Sequence, residues 1–269
     1  MKNAIGREIP ERIGSRVAIP YRGAFATLRD DRKAARHQKG APYSEDKVLS
    51  SIEAAIEATG LSDGMTISFH HSFRDGDRVI NQVLDVCAKK GLKDLRLLPT
   101  ALFPVHAGIV DHIKSGVVSR IEGSMNGPIG AFVSQGGKLS EPAILRSHGG
   151  RWRAIEAGDV EIDVAFIAAP QADAYGNATG IKGKTPCGPI SFTAVDAQYA
   201  KHTVVITSDL APYPVYPMEI QQGWVDCVVV VDEIGDPQNI ASGTLQVTKS
   251  PTRLLIAQMT TDAVVHSGY

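Results

Sequence analysis

The chain has 269 residues, of which 43% are hydrophobic and 21% charged, and its formal net charge is −1 at pH 7. This composition is typical of a soluble globular protein, and the near-zero charge argues against nucleic acid or an anionic membrane as a partner. The three cysteines lie too far apart in sequence for a disulfide framework or a zinc site. Since no apolar segment approaches membrane-spanning length, we expect a cytoplasmic protein.

Residues 1–43 lack sustained hydrophobic periodicity and predict an extended N-terminal arm, followed by one α/β domain over residues 44–269. A basic run from Arg29 to Lys39 is interrupted by two aspartates, so we interpret it as a solvated face or mobile arm. Ser44 is expected to cap a helix that ends at Gly60. Its apolar stripe is formed by Val48, Leu49, Ile52, Ala55 and Ile56.

Strands and helices alternate from there to the end of the chain. The predicted strands are Met65–Phe69, Leu95–Leu98, Val117–Ile121, Val164–Ala168, Thr203–Thr207 and Val225–Val231. The predicted helices are Asp77–Lys90, Ala107–Lys114 and Pro251–Val265, the last capped by Ser250. This alternation predicts right-handed crossovers and a mainly parallel sheet flanked by helices. The stretch 136–160 is irregular, and we expect only a short strand near Ala143–Arg146 there.

A polar segment, His70–Asp77 (HHSFRDGD), joins the strand Met65–Phe69 to the next helix. Such a junction offers free backbone N–H groups and the positive end of a helix dipole to an anion. Arg74 can add a bidentate contact to a carboxylate. The segment is therefore a candidate anion-binding site.

The histidines of this segment admit two interpretations. His70, His71 and Ser72 can donate hydrogen bonds to a ligand, and the histidines can also move protons. Alternatively, Asp75 or Asp77 only caps the helix, and the histidines bond to loop carbonyls. Adjacent side chains at a strand end point to opposite sides, so at most one histidine is expected to face a ligand directly.

A glycine-rich segment, Gly123–Gly130, follows the strand Val117–Ile121. Asn126-Gly127 suits a turn that needs a positive φ, and Gly130 allows close backbone approach. Donors fixed on such a loop could hold the oxyanion formed during acyl transfer. A plain tight turn is the alternative, because the segment matches neither the Walker motif nor the dinucleotide fingerprint.

The apolar run Asp163–Ala169 leads directly into a polar turn. A short continuous apolar run of this kind predicts a central strand of a parallel sheet. Ligands of open α/β sheets bind beyond the carboxyl ends of the strands, so we expect Asp173 and Asn177 to lie there. The turn at Gly176 separates them. We favour a role in orienting a neighbouring loop over direct catalysis, with substrate contact as the alternative.

Other catalytic patterns do not occur in the sequence. It contains no Gly-x-Ser-x-Gly elbow and no His-Glu-x-x-His helix, and the histidines lack the spacing of metal ligands. No metal is therefore expected. Cys187 lies in a Gly/Pro loop where its thiol could be exposed, and we interpret it as a bystander rather than a nucleophile.

Three segments together resemble the alpha chain family of citrate lyase, in the CoA-transferase-like superfamily. They are HHSFRDGD, GSMNGPIGAF and DVAFIAAPQADAYGNATG. Related CoA-transferases carry a segment similar to the third, whereas the first segment and Gly6–Pro10 point to the citrate lyase branch. The resemblance extends over essentially the whole chain and corresponds to the N-terminal half of the family. Members carry a second, similar α/β domain that is absent from this sequence.

The resemblance implies a transferase that exchanges the acetyl group on a carrier thioester for citrate and releases acetate. A separate beta chain would cleave the resulting citryl thioester to oxaloacetate and regenerate the acetyl thioester. The thiol belongs to a dephospho-CoA-derived group on the small gamma, or acyl carrier, chain. The resemblance therefore implies no cofactor on this chain itself, and an oligomeric assembly with beta and gamma chains.

The resemblance also implies residue roles. The histidine loop and Arg74 would meet a carboxylate, and the backbone of Gly127–Gly130 would face the thioester carbonyl. The branch is thought to use a ternary complex, and the glutamate motif of other CoA-transferases is not found here. The residues assigned to catalysis are His70, Arg74 and Asn126, and those assigned to substrate binding are His71, Ser72, Gly127, Gly130, Asp173 and Asn177.

Two alternatives remain open at this point. The chain could be a non-catalytic half that docks the beta and carrier chains, because the second domain is missing. It could also be another enzyme on the same scaffold, such as a sugar-phosphate isomerase or a transferase that uses free acyl-CoA.

Overall fold

The computed structural model describes residues 1–3, 5–20, 46–240 and 247–267. The strands are β1 (Arg12–Ile13), β2 (Arg16–Val17), β3 (Val48–Leu49), β4 (Thr66–Phe69), β5 (Leu95–Pro99), β6 (Ala101–Leu102), β7 (Val118–Ile121), β8 (Ser124–Met125), β9 (Val164–Ala168), β10 (Gln171–Ala172), β11 (Ala178–Thr179), β12 (His202–Thr207) and β13 (Cys227–Val230). The α-helices are α1 (Ile52–Ala58), α2 (Val79–Lys89), α3 (Ile109–Lys114), α4 (Gly127–Val133), α5 (His148–Glu156), α6 (Ala194–Tyr199), α7 (Pro237–Ile240) and α8 (Pro251–His266).

Seven strands form one parallel sheet in the order β3-β13-β12-β9-β4-β5-β7. This confirms the predicted fold class, a mainly parallel sheet flanked by helices. All five residues of β9 are buried, as expected for a central strand covered on both faces. The chain runs outward from β4 through β5 to β7, and outward in the other direction from β9 through β12 to β13. The strand order therefore reverses between β4 and β9, where open α/β sheets form a ligand-binding crevice.

The start of the first helix differs from the prediction. Ser44 and the basic run Arg29–Lys39 lie outside the described residues. The cap of α1 is Ser51, whose Oγ accepts a hydrogen bond from the Ala54 amide at 3.1 Å. Val48 and Leu49, predicted in the helix, form the edge strand β3, because pairing with β13 supplies their backbone with hydrogen bonds.

The predicted N-terminal arm contains a small structural element. Strands β1 and β2 pair as an antiparallel hairpin, and Arg16 Nε lies 2.6 Å from Glu141 Oε2. Within the predicted arm, this hairpin contacts Glu141 through the Ser15 hydroxyl and the Arg16 guanidinium.

The stretch 136–160 contains a helix that the sequence did not indicate. α5 begins after Ser147, whose Oγ accepts from the Gly150 amide at 3.1 Å. Two glycines in its first turn and few apolar residues hide the helical periodicity. The expected strand near Ala143–Arg146 is reduced to one bridge between Glu122 and Ile144.

The predicted glycine-rich loop is also more regular than expected. Residues 124–125 form β8, which pairs with β6, and α4 begins at Gly127. In the described ranges, no helix is both long and apolar enough to cross a membrane. The last helix, α8, is exposed along its whole length.

Candidate active site

A pocket of about 310 Å³ opens beyond the carboxyl ends of β4 and β5. We call it the histidine pocket. Its lining residues are His70, His71, Ser72, Arg74, Thr100, His148, Cys187, Pro189 and Phe192. The first four come from the HHSFR segment after β4, which is next to the strand-order reversal. Both His70 and His71 line the pocket, whereas the sequence led us to expect at most one histidine to face a ligand.

His70 forms the floor of the pocket above a buried ion pair. Its Nε2 lies 3.4 Å from Asp196 Oδ2, and the His70 residue is only 7% exposed. The approach lacks the geometry of a good hydrogen bond, and neither ring nitrogen has a hydrogen-bond partner among the described residues. Arg151 contacts the same carboxylate through two nitrogens, at 2.7 and 2.5 Å. Arg151 also donates to the Leu98 carbonyl.

The ion pair sets the charge below the pocket. Burial alone would raise the pKa of Asp196, but the Arg151 guanidinium, helped by His70, holds that pKa well below its usual range. Asp196 is therefore an anion whose charge Arg151 compensates. Since the two residues lie on α6 and α5, the pair also fixes these helices to each other beside the pocket.

His71 is half-buried, between the buried His70 and the exposed His148. Burial, together with the positive groups nearby and first among them His148, lowers the pKa of His71 to about 4. Thr100 Oγ1 accepts from the His71 amide at 2.9 Å and lies 2.6 Å from His71 Nδ1. When the Thr100 hydroxyl donates to Nδ1, the ring proton of the neutral imidazole lies on Nε2. His71 is then a neutral hydrogen-bond donor at neutral pH.

Sequence analysis missed His148, which completes the histidine cluster. Its Nε2 lies 3.4 Å from His71 Nε2, and its ring packs edge-on against Phe192. His148 is the first residue of α5. The one sequence signal was Ser147 as a helix cap, and the glycines that follow obscured it.

Arg74 lies at the mouth of the pocket in a strained backbone conformation. Its φ is +51°, in the left-handed region that non-glycine residues seldom adopt. The side chain is exposed, and in the described part of the chain no carboxylate pairs with it. Its charge is therefore available to an anion.

The alternative role of the aspartates in this segment is also realised. Asp77 Oδ1 accepts from the Ile80 amide at 3.1 Å at the start of α2. Asp75 Oδ1 accepts from the Val105 amide at 2.8 Å. Asp77 thus caps the helix that follows, Asp75 ties the segment to the loop at Val105, and the basic residues line the pocket.

Asn126, Gly127 and Gly130 lie at the same edge of the sheet but do not line the histidine pocket. Asn126 Nδ2 donates to the Leu102 carbonyl at 3.0 Å. Gly127 has φ +62°, which confirms the predicted positive-φ turn. A Cβ on Gly130 would lie 2.7 Å from the Met125 carbonyl oxygen, so close approach within the chain already requires this glycine.

Asp173 and Asn177 were expected beside these loops, and their predicted position is wrong. The polypeptide after β9 folds back over the sheet, so the tip of the β10–β11 hairpin meets residues that precede β13 and β3. Asn177 exchanges hydrogen bonds with Gln222, and Gly176 packs on Val225. In a parallel sheet, residues that precede strands lie at the amino edge, opposite the histidine pocket.

The buried pair has a local structural role. Asp173 accepts hydrogen bonds from three backbone amides and from Asn177 Nδ2, and both residues are no more than 1% exposed. These bonds tie the hairpin to the loop at Val215. This is the loop-orienting role that the sequence favoured.

Cys187 lines the pocket without the properties of a nucleophile. Burial, reinforced by Glu219, raises the pKa of its thiol to about 12. Among the residues that the structure describes, no three His, Cys, Asp or Glu side chains are grouped to hold a metal ion. The polar side chains that line the pocket carry imidazoles, a guanidinium, hydroxyls and the Cys187 thiol, and the first three kinds of group suit an anionic ligand.

A family model described as "Citrate lyase, alpha subunit (CitF)" matches residues 45–269. The chain belongs to this citrate lyase alpha subunit family. The citrate lyase alpha chain of Escherichia coli (strain K12) is 46% identical over 224 residues, which are 83% of this chain and 44% of the relative. The Klebsiella pneumoniae alpha chain is 44% identical with the same coverage. The chain thus spans less than half the length of these relatives.

The fold of this chain is similar to that of a citrate lyase alpha subunit that was solved with citrate bound. The Streptococcus mutans alpha subunit of citrate lyase, solved in complex with citrate, superposes with a TM-score of 0.86 and 48% identity. The match covers 95% of this chain and 50% of that protein. An acyl-CoA transferase of Escherichia coli O157:H7 matches with a TM-score of 0.54 at 14% identity, which shows a shared fold only.

Proposed function

We propose that this chain is the citrate-binding half of a citrate:acetyl-carrier-protein transferase. The observation that carries the proposal is the histidine pocket, where Arg74, which no carboxylate of the described residues pairs with, and a cluster of imidazoles line a cavity at the strand-order reversal. Membership of the citrate lyase alpha subunit family and the citrate-bound relative support citrate as the anion. Since the chain spans less than half of its relatives, the activity of the whole protein is part of the proposal.

The proposed reaction needs no net proton transfer. A citrate carboxylate oxygen attacks the acetyl carbonyl of the thioester, and the thiolate leaves as a mixed anhydride forms. The thiolate then attacks the citryl carbonyl of that anhydride, and acetate leaves. Each step moves negative charge between carboxylate, carbonyl oxygen and sulfur, so the protein has to position and stabilise charge.

The pocket residues fit those tasks. Arg74 pairs with a citrate carboxylate, and the Nε2–H of neutral His71 donates a hydrogen bond without carrying a charge. His70 lines the pocket beside the substrate, with the Asp196–Arg151 ion pair beneath it. Asn126 and the Gly127–Gly130 backbone, at the same edge of the sheet, are proposed to face the thioester carbonyl.

The thioester is proposed to come from outside this chain. A dephospho-CoA-type group on a gamma carrier chain would present the acetyl group at the carboxyl edge, and a beta chain would cleave the product. Under this proposal the chain keeps no cofactor of its own and works in an oligomeric complex.

The test measures acetate release when the chain is mixed with citrate and acetyl-CoA as a surrogate for the carrier thioester. Arg74→Ala should reduce the rate at least about tenfold, because it removes a charged hydrogen-bond pair to the substrate. Arg78→Ala is the matched control: Arg78 is also an exposed arginine near α2 but pairs with Glu233. Its rate should equal that of the wild type.

Other outcomes point to the alternatives. Citrate binding without acetate release would indicate a binding half that needs the rest of the family sequence for turnover. Acetate release with succinate or acetoacetate as acceptor, but not with citrate, would indicate another acyl-CoA transferase. An unchanged rate for Arg74→Ala would contradict the site assignment.

A further inference from the structure

The first turn of α5 borders the histidine pocket through His148. Ser147 supplies the backbone cap by accepting from the Gly150 amide, and the Arg151 amide bonds to the Ser147 carbonyl. The amides of His148 and Gly149 donate to no other group in the described part of the chain. Two backbone donors and the positive end of the α5 dipole are therefore left at the start of a helix whose first residue, His148, lines the pocket.

Gly149 has no structural requirement to be glycine. Its φ is not in the left-handed region, and a Cβ built on it would meet nothing within 4 Å. Glycine nevertheless destabilises a helix relative to alanine. Glycine has no side chain, so it leaves the backbone of the first turn open to close approach by a ligand. Besides a positive φ, this is a common reason for glycine at such a position.

A second observation points to a ligand at this place. His70 is only 7% exposed and lines the same pocket. Its Nε2 faces Asp196 Oδ2 at 3.4 Å, and its Nδ1 has no hydrogen-bond partner within the described ranges. Buried polar groups in folded proteins are nearly always hydrogen-bonded. Arg151, one turn after His148, anchors α5 to the Asp196 carboxylate beneath His70, so the helix start and the imidazole belong to one rigid unit.

We propose that the amino terminus of α5, at His148 and Gly149, binds a second carboxylate of the substrate, in addition to the one bound by Arg74. This inference rests on the proposed function, which makes the substrate a polycarboxylate. It assigns the pocket a preference for ligands with at least two carboxylates. Acetate has a single carboxylate and cannot occupy both positions, so it leaves while citrate is retained.

The test is calorimetric titration of the 269-residue chain with citrate, comparing Gly149→Asp with Gly149→Asn. An aspartate in the first turn stabilises a helix through its dipole, so a purely structural role predicts equal or tighter binding. If a carboxylate binds there, Gly149→Asp repels it and weakens citrate binding by about tenfold or more. Gly149→Asn has nearly the same shape without the charge, and should stay within about threefold of the wild type.

The same titration separates this inference from the proposed function. Suppose that the wild type binds citrate, that Arg74→Ala weakens citrate binding, and that Gly149→Asp binds citrate as tightly as the wild type. The proposed carboxylate site on α5 is then wrong, and the proposed function stands. If the wild type binds succinate but not citrate, and Gly149→Asp weakens succinate binding, the α5 site stands and citrate is the wrong substrate. If neither acid binds to the folded chain, as judged by circular dichroism, both are overturned.

Discussion

The buried ion pair beneath the pocket gives the most quantitative prediction. Asp196→Asn keeps the shape of the side chain but removes the negative charge. Arg151, only 2% exposed, would then be a buried cation without a carboxylate partner. Breaking a buried pair in this way costs about 3–5 kcal/mol of unfolding free energy. For a chain of this size the melting temperature should fall by about 6–20 °C.

Urea denaturation followed by circular dichroism measures the change. The matched control is Asp111→Asn, which breaks an ion pair with Lys114 on the exposed face of α3. It should change the unfolding free energy by less than about 0.5 kcal/mol. The double variant Arg151→Met with Asp196→Leu should recover most of the loss, because it buries no charge. A cost below about 1 kcal/mol for Asp196→Asn would refute the reasoning.

Three further predictions concern single residues. In the folded protein the pKa of His71 is lowered from 6.5 to about 4, so between these pH values the folded ring binds fewer protons than the unfolded chain does. The unfolding free energy should therefore rise from pH 4 to 6.5, by about 1–2 kcal/mol once solvent screening of the partly exposed ring is allowed for. His71→Asn should flatten that rise in urea titrations. Gly176→Ala should cost about 2–4 kcal/mol in the same assay, since φ is +100° and the new Cβ would lie 2.7 Å from Val225; no loss would contradict the described packing. Because the pKa of the Cys187 thiol is raised to about 12, Cys187 should react with iodoacetamide at pH 8 at least about tenfold more slowly than a cysteine peptide. Mass spectrometry of a variant with Cys87→Ser and Cys227→Ser, in which Cys187 is the remaining cysteine, measures the rate.

The sequence predicted the parts of the fold that local patterns determine. Apolar runs such as Val164–Ala168 gave the central strands, since a strand covered on both faces is continuously apolar. The polar segment after β4 was predicted to be a ligand-binding loop that contains Arg74, because it joins the end of a strand to the start of a helix. The start of α1 was placed too early, since Val48 and Leu49 suit a helix stripe as well as an edge strand.

The parts that failed depend on contacts between distant residues. Arg151 and Asp196 are 45 residues apart, and nothing in either local sequence indicates a buried pair. His148 was missed because glycines obscure the start of α5. Asp173 and Asn177 were placed at the wrong edge, because the hairpin folds back and its direction depends on packing against Val225.

The most direct test of the account is a crystal structure of the chain with citrate. We expect citrate in the histidine pocket, with one carboxylate on Arg74 and hydrogen bonds from His71. Citrate bound at the opposite edge of the sheet, beside Asp173 and Asn177, would contradict the account.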